Sequence, residues 1–217
     1  MMNELTLVQR IAVWILPIMF AITVHEVAHG WVAKKLGDQT ASSLGRLTLN
    51  PFKHIDWIGT VLLPGILLLT FSGFVFGWAK PVPVNPRYFK KPKQMMAIVA
   101  AAGPIANLLM AIGWALLARL GVMLNIESIS LPLIYTGVAG ITINLVLALI
   151  NLIPIPPLDG GRILTGFLPD LWAWRFNKLE RFGFIILLVL LWSGFLNTLL
   201  GYPMYYVQKL FFDLAGL

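Results

Sequence analysis

Two histidines and a glutamate, spaced as in zinc sites, lie inside an otherwise apolar stretch. Between residues 11 and 33 the only ionisable side chains are those of His25, Glu26 and His29. On an α-helix, side chains four positions apart share one face, with Cβ atoms about 5–6 Å apart. Two imidazoles at that spacing can bind one zinc ion, while the glutamate between them acts on the water that the metal holds. A metal would also offset the cost, very roughly 3 kcal/mol, of an ionisable residue at mid-bilayer.

Asp159 is the candidate for a third ligand, and it lies where a helix cannot continue. Catalytic zinc takes three protein ligands, but the position six residues after the second histidine, used in an extended zinc-protease pattern, is Lys35. Asp159 follows three nearby prolines and precedes two glycines, so the backbone unwinds around a carboxylate. Irregular backbone at membrane depth is tolerated only where protein or a wet cavity surrounds it. Capping of the next helix is the alternative role.

Other polar residues in the apolar segments admit simpler interpretations. His54 lies in a polar stretch beside such a segment, which favours a surface or interfacial position over metal ligation. Asn107, Asn144 and Asn151 can bridge helices, and Gly103 suits a helix start with close helix packing. Asn151 differs from the other two asparagines because it comes one or two turns before the aspartate.

The composition indicates an integral membrane protein. Hydrophobic residues make up 59% of the 217 residues and charged residues 12%, whereas soluble domains are about 45–50% apolar and about 25% charged. The apolar stretches are continuous rather than alternating, which favours helices over an outer-membrane barrel. Cysteine is absent, so a metal must use nitrogen and oxygen ligands. The net charge of +7 is more typical of orienting basic loops than of a nucleic-acid partner, and we expect none.

The expected fold is an all-α polytopic membrane protein with about four to six membrane helices. Candidate membrane segments are 10–34, 57–77, 95–119, 131–153 and 183–200. Short β-like segments are predicted near 41–50, which ends at an Asn-Pro pair, and near 77–86, where three prolines exclude a helix. Because no loop can hold a further domain, residues 1–217 are predicted to form one membrane domain, with a motif-bearing core at about 10–168.

Segment 57–77 decides the topology. Pro64 and Gly65 interrupt its middle, so it either crosses the membrane or enters and returns. If it returns, all but three of the Lys and Arg residues lie on one face. The exceptions are Arg10, Arg119 and Lys209. The positive-inside rule favours this arrangement, places the basic face in the cytoplasm, and brings the aspartate to the depth of the two histidines.

Together these motifs resemble the site-2 protease family of intramembrane zinc metalloproteases. The likeness rests on His25-Glu26-x-x-His29, Gly103-Pro-x-x-Asn107 and Asn151-x-x-Pro-x-Pro-x-Leu158-Asp159-Gly160. The runs at 49–56 and 77–85 resemble a compact prokaryotic branch of the family without an inserted PDZ or CBS domain. The motifs cover about residues 20–165.

The resemblance implies roles for these residues. His25, His29 and Asp159 would bind one Zn²⁺ per chain, and Glu26 would act as general base and acid. Asn151, and with it Asn107, would bind substrate, while the extended pieces near 44–50 and 77–85 would offer an edge to a substrate strand. The expected function is hydrolysis of a peptide bond within or near the transmembrane segment of membrane protein substrates, in regulated intramembrane proteolysis. The expected location is the cell membrane, as a multi-pass protein with its active site toward the cytoplasm.

Two rival functions share the same residues. Intramembrane His and Asp residues also mark ion pathways, so a divalent-metal transporter is one alternative. The other is a catalytically inactive membrane adaptor that kept the fold. A transport path needs polar groups on both sides of the membrane centre, and the outer halves of the segments are nearly featureless, which favours an enzyme.

Overall fold

The structure, a computed structural model, describes residues 5–69, 77–124 and 126–217. Within these ranges the chain is helical and contains no strand, which confirms the all-α class. The helices are α1 (Leu7–Lys35), α2 (Thr40–Ser43), α3 (Leu63–Leu69), α4 (Pro92–Leu124), α5 (Glu127–Asn151), α6 (Asp159–Phe167), α7 (Asp170–Asn177), α8 (Glu180–Trp192) and α9 (Phe195–Ala215). A π-helical turn, Trp57–Leu62, precedes α3, and 3-10 turns form at Pro51–Lys53 and Pro86–Tyr88.

Helix α1 carries the histidine motif, and local sequence signals mark both of its ends. Thr6 and Gln9 form a reciprocal capping box, in which each backbone N–H donates to the other side chain, at 2.9 and 3.3 Å. Lys34 and Lys35 occupy the last turn, where positive charge is favourable. Gly37 follows with φ of 110°, a value that glycine adopts without steric cost, so the chain turns away there.

Helices α1, α4 and α5 are each long and apolar enough to cross a membrane. Small residues let α4 and α5 pack closely. A Cβ on Gly140 would lie 2.2 Å from the ring of Trp114, and a Cβ on Gly137 would lie 2.7 Å from Ala118, so neither position has room for a larger residue. Helix α9 covers this pair. The buried cluster between the three helices is formed by Ala111, Ala115, Ala118, Ile141, Leu145, Phe211 and Ala215.

The expected number of four to six membrane helices is not confirmed. Among the described residues three helices meet the criteria of length and apolarity. The segment predicted at 183–200 is not one helix, because Gly194 adopts φ of 71° and divides it into α8 and α9. With 13 residues, α8 is about 20 Å long, shorter than the roughly 30 Å hydrocarbon core of a bilayer.

The two ends of segment 57–77 lie side by side. The N–H of Trp78 donates to the carbonyl of Gly59 at 3.0 Å, and the hydroxyl of Thr60 donates to the carbonyl of Trp78 at 2.8 Å. Lys80 N–H donates to the carbonyl of His54 at 2.9 Å. Ends that are hydrogen-bonded to each other cannot lie on opposite faces of a bilayer about 30 Å thick. The re-entrant interpretation meets this geometric requirement, although residues 70–76 are outside the described residues.

The predicted β-like segments are not confirmed. The prediction near 41–50 is wrong at its start, where Thr40–Ser43 is a helical turn that begins after Asp38, whose carboxylate accepts the N–H and the hydroxyl of Thr40. Residues 77–85 have no regular structure. Two amides of this segment donate to carboxylates instead of to a neighbouring strand: that of Val82 to Glu26 and that of Asn85 to Asp38, each at 2.7 Å.

Candidate metal centre

The fold brings together the three residues predicted as metal ligands. His25 and His29 project from one face of α1, and Asp159 is the first residue of α6. Oδ2 of Asp159 lies 3.2 Å from Nε2 of His25 and 3.3 Å from Nε2 of His29, and the two nitrogens are 3.1 Å apart. His25 and Asp159 are buried, with 8% and 7% of their surfaces exposed.

The loop after α5 positions Asp159 by folding tightly on itself. Prolines at 154, 156 and 157 prevent α5 from continuing, and the Pro156–Pro157 bond is cis. The loop then passes so close to the start of α6 that a Cβ on Gly160 would lie 2.3 Å from the carbonyl oxygen of Leu152. Glycine is therefore required directly after Asp159, because any larger residue would push the carboxylate out of place.

Hydrogen bonds on the far side of each imidazole define the direction of its lone pair. Nδ1 of His25 contacts Oδ1 of Asn107, and Nδ1 of His29 lies 2.8 Å from the carbonyl oxygen of Val99. Both partners are acceptors, so each Nδ1 carries the hydrogen. In neutral rings both Nε2 atoms then present lone pairs toward Asp159.

These atoms are arranged as the ligands of a tetrahedral metal ion. With Zn–N and Zn–O bonds of about 2.0–2.1 Å, ligand atoms in a tetrahedral site lie about 3.3 Å apart, close to the three separations here. Oδ2 of Asp159 is buried and has no hydrogen-bond donor. Three electron-pair donors that face one another without a shared proton repel unless a cation lies between them. The donor set of two imidazoles and one carboxylate fits zinc.

Helix α4 packs against the two imidazoles at Gly103. A Cβ on Gly103 would lie 2.5 Å from Nε2 of His29 and 2.6 Å from Nε2 of His25. A methyl group there would clash with both Nε2 atoms, so the two imidazoles could not keep these positions. The sequence interpretation assigned Gly103 to helix packing, and its place in the Gly-Pro-x-x-Asn motif is the signal that pointed to the site.

Glu26 lies beside the centre and is held from a different direction. It follows His25 on α1, is only partly buried, and its Oε2 accepts the N–H of Val82 at 2.7 Å. Sequence reasoning missed both Val82 and Val99, because each acts through a backbone group that its residue type does not reveal.

The remaining predicted residues are placed differently from one another. Asn107 is fully buried, and its amide nitrogen donates to Ala21 O at 3.2 Å and to Asn144 Oδ1 at 2.9 Å. This placement leaves no polar atom of Asn107 facing a substrate.

Asn151 is partly exposed at the end of α5, where its amide donates to Leu147 O at 2.9 Å. His54 is only 2% exposed, contrary to the surface position predicted for it, because its Nε2–H donates to Thr48 O at 2.9 Å within a folded turn.

Two histidines and an aspartate that could hold a metal ion, with a glutamate next to the first histidine, are the groups expected of a zinc metalloprotease. The profile of Peptidase family M50 matches residues 13–126 and 117–193. The chain belongs to this family, which confirms the resemblance to site-2 proteases and establishes the protein as a membrane metalloprotease.

Curated relatives carry zinc metalloprotease names. "Putative zinc metalloprotease YwhC" of Bacillus subtilis (strain 168) is 43% identical over 181 residues, 81% of this chain and 78% of that protein. "Putative zinc metalloprotease Rip2" of Mycolicibacterium smegmatis is 30% identical over 91% of this chain and 72% of that protein. "Putative zinc metalloprotease MJ0611" of Methanocaldococcus jannaschii is 32% identical over 69% of this chain and 66% of that protein. No solved structure matches the chain.

Proposed function

We propose that this metalloprotease hydrolyses peptide bonds within or near the transmembrane segments of membrane proteins, as one domain in the cell membrane with its active site toward the cytoplasm. The observation that carries the proposal is the convergence of two imidazole nitrogens and one carboxylate oxygen at separations of 3.1–3.3 Å. The two histidines of this centre belong to α1, a helix long and apolar enough to cross a membrane. Its substrates must therefore reach it from the lipid or from the membrane surface. We propose that this cleavage is a step in regulated intramembrane proteolysis.

His25, His29 and Asp159 would hold one Zn²⁺ per chain. Bound zinc would supply a Lewis acid that polarises the scissile carbonyl and acidifies water. The protein's contribution is to keep both Nε2 lone pairs and the carboxylate pointed at one place. The hydrogen bonds at the two Nδ1 atoms orient the imidazoles, and the tight loop before Gly160 positions the carboxylate. Because these partners are buried in α4, the ligands are oriented before substrate arrives.

Glu26 is the group that moves protons in this proposal. The Val82 amide binds its Oε2, and we assign Oε1 to accept the proton of the attacking water and return it to the leaving nitrogen. Positioned acid–base groups contribute about 10²–10⁴-fold to a reaction rate. The fixed Oε2 orients the carboxylate so that this transfer takes place beside His25.

The segment Gly77–Asn85 would receive the substrate. A helical substrate has its carbonyls hydrogen-bonded internally, so it must unwind before cleavage, and pairing with an extended chain replaces the lost bonds. This segment is irregular and reaches Glu26 through Val82. Asn151, partly exposed near the aspartate loop, is the amide we propose to contact substrate, whereas the burial of Asn107 supports a role in orienting His25.

The substitution Glu26→Gln tests the function directly. It removes the proton acceptor and keeps the size of the side chain, so cleavage of single-span membrane proteins by the purified protein should fall by about 100-fold or more. Zinc content should stay unchanged, because no ligand is altered. Glu180→Gln is the matched control, since Glu180 is exposed and pairs with Arg162 at 3.6 Å, and it should cleave normally.

Two outcomes would contradict the proposal. Cleavage that persists in Glu26→Gln, or that survives removal of zinc by a chelator, would exclude this mechanism. Zinc transport into vesicles without any cleavage by the unaltered protein would favour the transporter alternative.

A further inference from the structure

A chain of buried side-chain amides extends from His25 across two further helices. Oδ1 of Asn107, on α4, accepts the Nδ1–H of His25. The amide nitrogen of Asn107 donates to Oδ1 of Asn144, on α5, at 2.9 Å, and Asn144 donates in turn to Gly140 O at 2.8 Å. Both asparagines are fully buried, so water cannot replace any of these bonds.

The chain has one direction. An asparagine amide has an acceptor end and a donor end. The donor end of Asn107 faces two acceptors, Ala21 O and Asn144 Oδ1, so its oxygen faces His25. Asn144 presents its oxygen to Asn107 because its own donor end is taken by Gly140 O, in the backbone of α5. Backbone carbonyls in helices cannot turn over, so Gly140 O determines the orientation of Asn144, and Asn144 Oδ1 together with Ala21 O determines that of Asn107.

A reversed Asn107 amide would change the chemistry of His25. Its NH₂ group would then face Nδ1, which could accept that hydrogen bond only as a lone pair. The ring hydrogen would move to Nε2, the atom 3.2 Å from Asp159 Oδ2. A protonated Nε2 cannot bind a metal.

We infer that Asn144 is a positioning residue that, through Asn107, keeps the lone pair of His25 on the metal-binding nitrogen. The inference rests on the proposed zinc site and adds to it a residue that contacts neither metal nor substrate. Histidine ligands commonly donate to a carboxylate that serves this purpose. Here two neutral amides replace the carboxylate, and neutral groups cost far less than an ion to bury.

The second histidine provides an internal comparison. Nδ1 of His29 lies 2.8 Å from the carbonyl oxygen of Val99, in the backbone of α4. This acceptor is fixed by the helix and needs no further residue to orient it. Only the His25 side depends on a side chain that can turn over, and only that side continues to a second amide.

The test compares Asn144→Leu in two backgrounds. Leucine has the branching of asparagine but cannot accept from Asn107, so zinc affinity, measured by competition with a chelator, should fall roughly 10–100-fold. In an Asn107→Asp background both carboxylate oxygens are acceptors, and there is no amide left to orient. Asn144→Leu should then weaken zinc binding by less than about 3-fold relative to Asn107→Asp alone, and this non-additivity is the signature of orientation.

Thr142→Val is the matched control. Thr142 lies on the same helix and also donates to a backbone carbonyl four residues earlier, Val138 O at 2.8 Å, but it does not contact the asparagines. Its substitution should leave zinc affinity unchanged. An equal loss from Asn144→Leu in both backgrounds would show a packing role only, and no loss in either would also overturn the inference.

A second measurement does not require zinc. The chain has three histidines, so ¹⁵N-histidine NMR of the metal-free protein can report which nitrogen of His25 carries the hydrogen. We expect Nδ1 to carry a hydrogen in the unaltered protein and to lose it in Asn144→Leu, whereas an unchanged Nδ1 would overturn the inference. An unaltered protein that binds no zinc but shows the expected tautomer would count against the proposed function and not against the positioning role.

Discussion

His25 and Glu26 are neighbours on α1, yet they face two different kinds of structure. The imidazoles face α4, where Gly103, the carbonyl of Val99 and the amide of Asn107 surround them in regular, buried helix. Glu26 faces Gly77–Asn85, which has no regular structure and contacts it through the Val82 amide. The proposed metal ligands thus contact a regular helix, while the carboxylate proposed to transfer protons contacts a segment without regular structure.

This difference fits the separate requirements of binding and turnover. A metal site needs ligands held to within a fraction of an ångström, and helices supply that precision. In the proposed function a substrate strand enters and leaves beside Glu26, and a segment without regular structure has backbone groups available for that exchange. Substitutions on the α4 side should therefore affect zinc affinity, and those on the irregular side should affect cleavage with zinc retained.

The largest effect is expected from Gly103→Ala. The added methyl group would lie 2.5–2.6 Å from the Nε2 atoms of both histidines, so zinc affinity should fall by roughly 100-fold, which corresponds to the upper part of the 1–3 kcal/mol typical of overpacking. Zinc content after dialysis and chelator competition measure it. Gly113→Ala, on the same helix but with no atom within 4 Å of the new Cβ, should bind zinc normally. Normal zinc binding by Gly103→Ala would show that the α4 side is not rigid.

An intermediate effect is expected from Val82→Pro. Proline removes the N–H that binds Glu26 and suits a segment that already has Pro81 and Pro83. Cleavage should slow by about 10-fold, a fraction of the usual acid–base contribution, while zinc affinity stays the same. Val84→Pro is the control, because no described hydrogen bond uses the Val84 amide. Equal losses in the two variants would assign the effect to backbone conformation and not to Glu26.

The smallest effect on catalysis is expected from Asp38→Asn. Asp38 is fully buried and accepts hydrogen bonds from Thr40 and from the Asn85 amide. It therefore holds in place the Asn85 end of the segment 77–85. Losing a charged acceptor should cost about 1.5–3 kcal/mol of unfolding free energy, with cleavage reduced only a few-fold. Asp213→Asn, an exposed position on α9, should change neither.

The same carboxylate predicts a pH dependence. Burial raises the pKa of Asp38, but the hydrogen bonds from Thr40 and Asn85 lower it by a larger amount, so the pKa lies below the usual 3.8. A folded-state pKa below the unfolded one stabilises the fold above pH 3.8, and the contribution disappears as the pH falls through the lowered value. The stability difference between the unaltered protein and Asp38→Asn should therefore shrink in that range. A constant difference between pH 7 and pH 3 would contradict this assignment.

Two predictions failed because hydrogen bonds between nearby residues override the polarity pattern. The stretch at 41–50 alternates weakly, as a strand would, but Thr40–Ser43 is a helical turn whose first N–H donates to the carboxylate of Asp38. His54 follows a polar run typical of a surface, yet its imidazole donates to Thr48 O and is buried. In both cases a hydrogen bond between residues two or six positions apart accompanies the difference, and the alternation of polar and apolar residues does not reveal it.

The sequence alone determined the helical membrane class, the pair of histidines and the aspartate, because apolar run length, four-residue spacing and proline position are local properties. It also indicated that 57–77 returns, through the count of basic residues. The tertiary structure decided what surrounds each ligand: the carbonyl of Val99, the space at Gly103, the amide of Val82 and the direction of the Asn107 and Asn144 amides. These depend on distances between residues tens of positions apart, which no spacing along the chain encodes.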